Sequence, residues 1–192
     1  VTTEAQIAIS ELYALAANLR DSICARAGND KSRAVWTTSV QIALDFYRKN
    51  QPWLLSELLP PITADVLPEK WKKDSFLLDF VVWRRDLNGH EGAWLACESE
   101  WDLGSKAIIK DFEKLLSFKA PLKLMIYDIK NRDPAASREA IKASIARFRW
   151  HSVEETYLFL EFVNNEKAAN AYSWKFAGEP LTSQDVEFVD LF

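Results

Sequence analysis

SFLLDFVVWRRDLNGHEGAWLACESEW, residues 75–101, holds two runs of apolar, aromatic and β-branched side chains around a short polar break. The runs 75–85 and 92–101 read as strands, because such side chains pack well on a pleated surface. Between them lies Asn88-Gly89. Both residues tolerate positive φ, so the pair is a strong signal for a two-residue type I′ hairpin turn. With that turn, Leu87 faces His90. Counting outward, Asp79 falls opposite Glu98 and Leu77 opposite Glu100. Opposed residues share a face, as do residues two apart on a strand. Asp79, Glu98 and Glu100 are therefore expected on one side of a sheet. A one-residue slip would separate them, so the reading depends on the turn.

Upstream, Ala5, Ile9, Leu12, Leu15, Ala16, Leu19 and Ile23 recur at helical spacing over residues 4–26. AGNDKS (27–32) breaks that helix. A second helix carries Trp36, Val40, Leu44 and Tyr47 on one side and ends near Asn50. Residues 51–70 hold four of the seven prolines and predict an irregular connection, with a short helix at WLLSELL (53–59). Downstream, Ser105 is placed to cap a helix running to residue 118, with an apolar stripe of Ile108, Ile109, Phe112, Leu115 and Leu116. A strand follows at 121–129. The helix after it, 135–149, turns Ala140, Ile141, Ser144, Ile145 and Phe148 inward. The near-continuous apolar run 156–163 suits a central strand. A last strand near 170–177 precedes an acidic tail. Two strand–helix–strand units imply parallel pairing by right-handed crossovers, and the hairpin adds antiparallel pairing. The expectation is an α/β fold: a mixed central sheet with helices on both faces. A single domain spans 1–192, with N-terminal helices in 1–50 and the core in 75–163.

Of the 192 residues, 48% are hydrophobic and eight are Trp, enough for a sizeable core. The net charge of −4 does not advertise a nucleic-acid binder, although local patches matter more than the sum. Such patches exist: Arg26, Lys31 and Arg33; Lys70, Lys72 and Lys73; Arg84 and Arg85; Arg138, Lys142, Arg147 and Arg149. Ordinary solvated faces are the commoner explanation of any one of them. Cys24 and Cys97 read as reduced and buried, and His90 and His151 stand alone without a zinc pattern. No run of 18 apolar residues and no signal-peptide pattern appears, so a cytoplasmic protein with no membrane partner is expected. Trp83, Trp94 and Trp101 flank the acids and suit core packing, whereas Trp36, Trp53 and Trp71 are candidates for an interface. Glu161, inside the apolar FLEF, is placed either in the same cavity as the acids or at an exposed edge.

An acid within a strand as apolar as LLDFVV is costly unless something pairs with it. Three clustered carboxylates call for a counter-charge, and a hard divalent cation with oxygen ligands supplies one. Such an ion activates water and neutralises charge on a phosphodiester. Lys106, Lys110 and Lys114 recur every four residues on the polar side of the next helix, where one can reach back. The plain alternative puts Glu98 and Glu100 on a solvated face and pairs Asp79 with Arg84 or a lysine.

These residues resemble the PD-(D/E)xK nuclease superfamily, which includes many restriction endonucleases. LLDF (77–80) supplies the Asp, Asp79, and CESEW (97–101) supplies the acid, Glu98. Glu100 stands at the family's Lys position, the E-x-E variation found in a minority of type II restriction enzymes. IIKDFEKLL (108–116) is similar to the helix that follows the motif. The likeness covers residues 75–129, and the rest only by element order. The family's further strand before the Asp strand is not placed in 60–73. The resemblance implies a restriction-endonuclease-like fold and Mg²⁺, with Mn²⁺ as substitute, held by Asp79, Glu98 and the backbone carbonyl of Ser99. It implies that Glu100 orients or deprotonates the attacking water and that Lys110 or Lys114 positions the scissile phosphate. Products would carry a 5′-phosphate and a 3′-hydroxyl. The implied partner is nucleic acid, double-stranded DNA first, with a homodimer as the assembly that matches two-fold sites. Glu100 leaves open an altered or inactive site, and hence a nuclease-fold module that binds nucleic acid or a protein. A glycosidase-like pair ranks behind, because opposed strand residues sit closer than most of the roughly 5–9 Å such pairs need.

Overall fold

The computed structural model describes residues 8–28, 32–49, 78–86, 89–101, 105–129, 133–152, 155–163, 169–177 and 185–192. Within them the order is α1 (Ile9–Ala27), α2 (Arg33–Lys49), β1 (Phe80–Asp86), β2 (Gly89–Glu100), α3 (Ser105–Ser117), β3 (Leu122–Asp128), α4 (Pro134–Arg147), β4 (Thr156–Phe162), β5 (Ala169–Lys175) and β6 (Val189–Asp190). The six strands form one sheet in sequence order. β2, β3 and β4 run parallel, and β1, β5 and β6 add antiparallel edges. This is the expected α/β mixed sheet.

Local chemistry sets the element ends. Gly28 closes α1 at a φ of 58°, a backbone state that side chains disfavour, and its N–H bonds the Cys24 carbonyl at 3.0 Å. Asp133 caps α4 by accepting from the Ala135 N–H at 2.9 Å, with Pro134 at the first helical position. Ser105 is the first residue of α3 itself.

The helices cover both faces. Leu12, Leu15, Leu19 and Ile23 of α1 and Trp36, Val40 and Leu44 of α2 pack with Leu95, Cys97, Leu124, Leu158 and Leu160 on one face. Ile108, Phe112 and Leu115 of α3 and Ile141 and Ile145 of α4 pack with Ala96, Met125, Tyr157 and Phe159 on the other. The strand period of two divides each strand between these layers. β4 is buried along its whole length, as a central strand should be.

The hairpin keeps its expected register where it matters but reaches it differently. Phe80, Val81 and Val82 pair with Cys97, Ala96 and Leu95. Near the turn, however, Asp86 pairs with Gly89, so Gly89 belongs to β2 and the connection is Leu87-Asn88, which lies outside the described residues. Two register shifts, at Val82/Trp83 and Arg84/Arg85, each give β2 one extra residue and restore the pairing.

Other expectations change. Trp36 is buried core and no interface residue, with its ring 4.9 Å from Trp101 and 5.1 Å from Phe162. Cys97 is buried and Cys24 half-buried, and neither is in a disulfide. Glu161 is fully buried in β4, neither at an edge nor beside the other acids. The acidic tail returns as β6 on β5, and the Phe192 ring meets Tyr13 of α1 edge-on at 5.6 Å. The predicted helix at 53–59, the interface candidates Trp53 and Trp71, and Leu77 lie outside the described residues. No helix among those described is long and apolar enough to cross a membrane.

Candidate functional site

β2 ends in Glu98-Ser99-Glu100, with β1 antiparallel on one side and β3 parallel on the other. Side chains alternate across the sheet here. Cys97 joins the core under α1 and α2, while Ala96 and the two glutamates turn toward α3. The α3 stripe of Ile108, Phe112 and Leu115 is buried. That docking leaves Asp111 and Lys114, one turn apart, at the border of the buried stripe facing β2.

Glu98 is almost fully buried, and its Oε1 lies 2.8 Å from the Lys114 Nζ. The same ammonium is 2.8 Å from Asp111 Oδ1. Burial pushes the Glu98 carboxyl up to about 8; the charges of Asp79 and Asp111 add to this, and Lys114 only partly offsets it. Glu100 is pushed up to about 7, first by burial and then by a hydrogen bond and charge from the Asp111 carboxyl, with the Trp101 backbone and the Arg33 charge pulling the other way. Burial works against the charge of Lys114, but its bonds to Asp111 and Glu98 prevail and raise its proton affinity. Burial also raises the neighbouring Cys97 thiol, and Asp79 and Glu98 raise it further, so this cysteine is no thiolate nucleophile.

Asp79 sits in the bend just before β1 and outside the ladder. Its Oδ2 accepts from the Ser99 N–H at 2.8 Å and from the Ser99 hydroxyl at 2.7 Å. It is therefore drawn onto Ser99 instead of projecting alongside Glu98, although it remains close enough for its charge to raise Glu98. Ser99, expected as a carbonyl ligand, acts here as a double donor to Asp79. Of the three helix lysines, Lys114 joins the acids; Lys106 and Lys110 are exposed. The solvated-face alternative fails for Glu98, which is buried and paired.

Asp111 is the site residue that sequence reasoning overlooked. The available signal was its position three residues before Lys114, which puts both on one helix face. The donor set at this strand end is hard oxygen, the type that suits Mg²⁺. Among the described residues, no three His, Cys, Asp or Glu side chains are arranged to hold a metal ion.

Two more buried polar clusters lie on the α3/α4 side. Lys123 Nζ meets Glu155 Oε2 at 3.0 Å, the Tyr157 hydroxyl at 3.2 Å and the Leu116 carbonyl at 3.2 Å. His151, which sequence reasoning left alone, joins this cluster through Tyr157 at 3.0 Å. Around Glu161, Tyr127 donates at 2.9 Å, and Arg138 and Asn170 each donate at 3.1 Å. Tyr127 also bonds Tyr172.

No family model, no curated protein and no solved structure matches this chain.

Proposed function

We propose that this chain is a metal-dependent nuclease that hydrolyses phosphodiester bonds, with DNA as the substrate. The carrying observation is a buried glutamate at a strand end, 2.8 Å from a lysine of the next helix, with an aspartate from the bend before the neighbouring strand close enough to shift its proton affinity. The proposal joins this cluster to the D…E-x-E pattern and its likeness to restriction-endonuclease-like enzymes.

In this reading Asp79 and Glu98, with the Ser99 carbonyl, hold Mg²⁺, which needs only one or two carboxylates beside water and phosphate. The ion supplies charge neutralisation at the scissile phosphate and a more acidic water. Glu98 would be the ligand that a bound cation shares with Lys114, and Lys114, held by Asp111, would supply a positive group for positioning the phosphate. Glu100, with a proton affinity near neutrality, is matched to accept the proton of the attacking water. Asp111, bonded to both Glu100 and Lys114, orients the two. Lys110 lies one turn earlier on α3, exposed and available to the phosphate backbone.

A second reading has its own observation. The Lys114 ammonium already provides the counter-charge of Glu98 and Asp111, which suits a nuclease-fold module that binds without cleaving.

The test incubates supercoiled plasmid and single-stranded DNA with the full chain in Mg²⁺, Mn²⁺ or EDTA, beside Glu98→Gln and Asp79→Asn proteins of native circular dichroism. The nuclease reading expects metal-dependent cleavage that falls at least 100-fold in both variants, on the order of the 10²–10³ lost when one stabilising group of an active site is removed. No cleavage, with no Mn²⁺ binding by calorimetry, would transfer the case to the binding module.

A further inference from the structure

The opposite end of the parallel strands carries a different surface. Lys119 lies between α3 and β3, Arg147 ends α4, Arg149 and Trp150 follow it, and Lys175 ends β5. These segments converge at the start of β4. The Pro121 carbonyl accepts from the Thr156 N–H at 2.8 Å, the Phe176 N–H donates to the Glu155 carbonyl at 2.9 Å, and Lys175 is the register partner of Thr156. All five side chains are exposed, Trp150 at 80%. Among the described residues, Lys119, Arg149, Trp150 and Lys175 have no ion pair, side-chain hydrogen bond or ring contact. Arg147 has one long bond, 3.4 Å, to Ser144. Among the described residues, the acid just before β4, Glu155, faces inward and is taken by Lys123 and Tyr157. A chain of net charge −4 thus keeps three exposed cations, Lys119, Arg147 and Arg149, in the segments beside one bare indole, while Lys175, next to Trp174 on β5, faces the opposite side of the sheet.

The indole is also held in place. Its neighbour His151 is fixed by the Tyr157 hydroxyl and the Ile145 carbonyl, both at 3.0 Å, and its ring stacks on Phe176 at 5.0 Å. Phe148, two residues before Trp150, packs on the same imidazole at 5.1 Å. The backbone on both sides of Trp150 is therefore pinned to the core while its ring faces water. A pre-ordered platform loses little freedom on binding.

We propose that this end of the sheet binds single-stranded nucleic acid, with Trp150 stacking on a base and Lys119, Arg147 and Arg149 contacting phosphates. An aromatic platform set among cations is the chemistry of sequence-tolerant single-strand binding: every base has a face to stack, and each phosphate offers a charge. A duplex hides those faces, and an acidic peptide has none. The surface is separate from the carboxylates: the Leu95–Leu122–Thr156 row and the Glu100–Tyr127–Glu161 row are five residues apart, about 16 Å at strand spacing. The choice of nucleic acid among polyanions rests on the nuclease reading.

The test is fluorescence anisotropy of a labelled oligo-dT of about 12 nucleotides, with the full chain in EDTA so that nothing is cut. It is repeated with the Glu98→Gln protein. Trp150→Ala is expected to weaken binding about 10-fold, within the range for one lost base stack. Lys119→Ala with Arg149→Ala is expected to flatten the log–log salt slope by about 1.4. Both proteins must keep the wild-type thermal transition. Binding that ignores both variants overturns the proposal. So does equal affinity for a duplex of the same length, or equal affinity for polyglutamate. Because the readout is binding without metal, a failed cleavage assay leaves this result standing, and active cleavage does not rescue it.

Discussion

Glu98 carries an electrostatic burden that its neighbours only partly relieve. Its carboxyl is buried beside Asp79 and Asp111, and Lys114 is the cation in contact with it. Its proton affinity is raised from 4.5 to about 8. Between those values the folded chain holds a proton that the unfolded chain has released. The stabilising effect is therefore complete below about 4.5 and is lost as pH rises through about 8. Glu100 adds the same trend up to about 7. Urea unfolding across this range should show stability falling with pH, and Glu98→Gln should flatten the fall. Lys114→Met should destabilise the chain by about 3 kcal/mol where Glu98 is ionised, because breaking a buried pair strands the other charge. Below pH 6 the loss should shrink, because the carboxyl is then neutral. The acids Asp79, Glu98 and Glu100 were legible in sequence because they interrupt apolar strands. Asp111 was not, because an acid on the polar face of an amphipathic helix looks like any solvated one until its strand is known.

The β1–β2 hairpin shows where sequence reasoning succeeds and where it stops. Asn88-Gly89 located the turn to within one residue, and the register beside the acids came out as expected. Two shifts compensated for the misplaced turn. Such irregularities answer to the twist of the whole sheet, to which a two-residue periodicity is blind. The far end of the hairpin is fastened by the Asp79 carboxylate on the Ser99 N–H and hydroxyl. Ser99→Ala removes one of these donors and leaves the other. It should lower unfolding stability by about 1 kcal/mol, the usual net worth of one hydrogen bond, measurable by urea titration. If the clamp also positions Asp79, metal affinity measured by calorimetry should fall in the same protein. The helices were legible for a simpler reason: α1, α2 and α3 each present one apolar stripe to one face of the sheet, and a stripe is visible in the chain itself.

Across the whole molecule, two polar clusters tie the α3/α4 layer to the sheet, one at each end of the strands. Lys123, Glu155, Tyr157 and His151 join α3, β3 and β4 at the start of the strands, and Glu161, Tyr127, Arg138 and Asn170 join α4, β3, β4 and β5 at their ends. Partners such as Tyr127 and Glu161 lie 34 residues apart, which is why no local pattern revealed them. Lys123→Met should destabilise the chain by about 3 kcal/mol, because it leaves the Glu155 carboxylate buried with less compensation. Adding Glu155→Gln should recover much of that loss, and a double-mutant cycle in urea would measure the coupling. Additive losses would show that the pair does not act as a unit.

The packing of α1 also fixes an order of events during synthesis. Its apolar side chains Leu12, Leu15, Leu19 and Ile23 share their core with Leu158 and Leu160 of β4 and Ala171 of β5. At ribosomal speeds of about 5–20 residues per second, the roughly 140 residues between them take on the order of 10 s to emerge. During that interval the first helical hairpin can form, but its sheet-facing side finds only β1, β2 and β3, and the part that β4 and β5 cover stays open. The nascent chain thus offers an early apolar surface to chaperones, and a ribosome stalled before β4 would release a helical pair prone to aggregate.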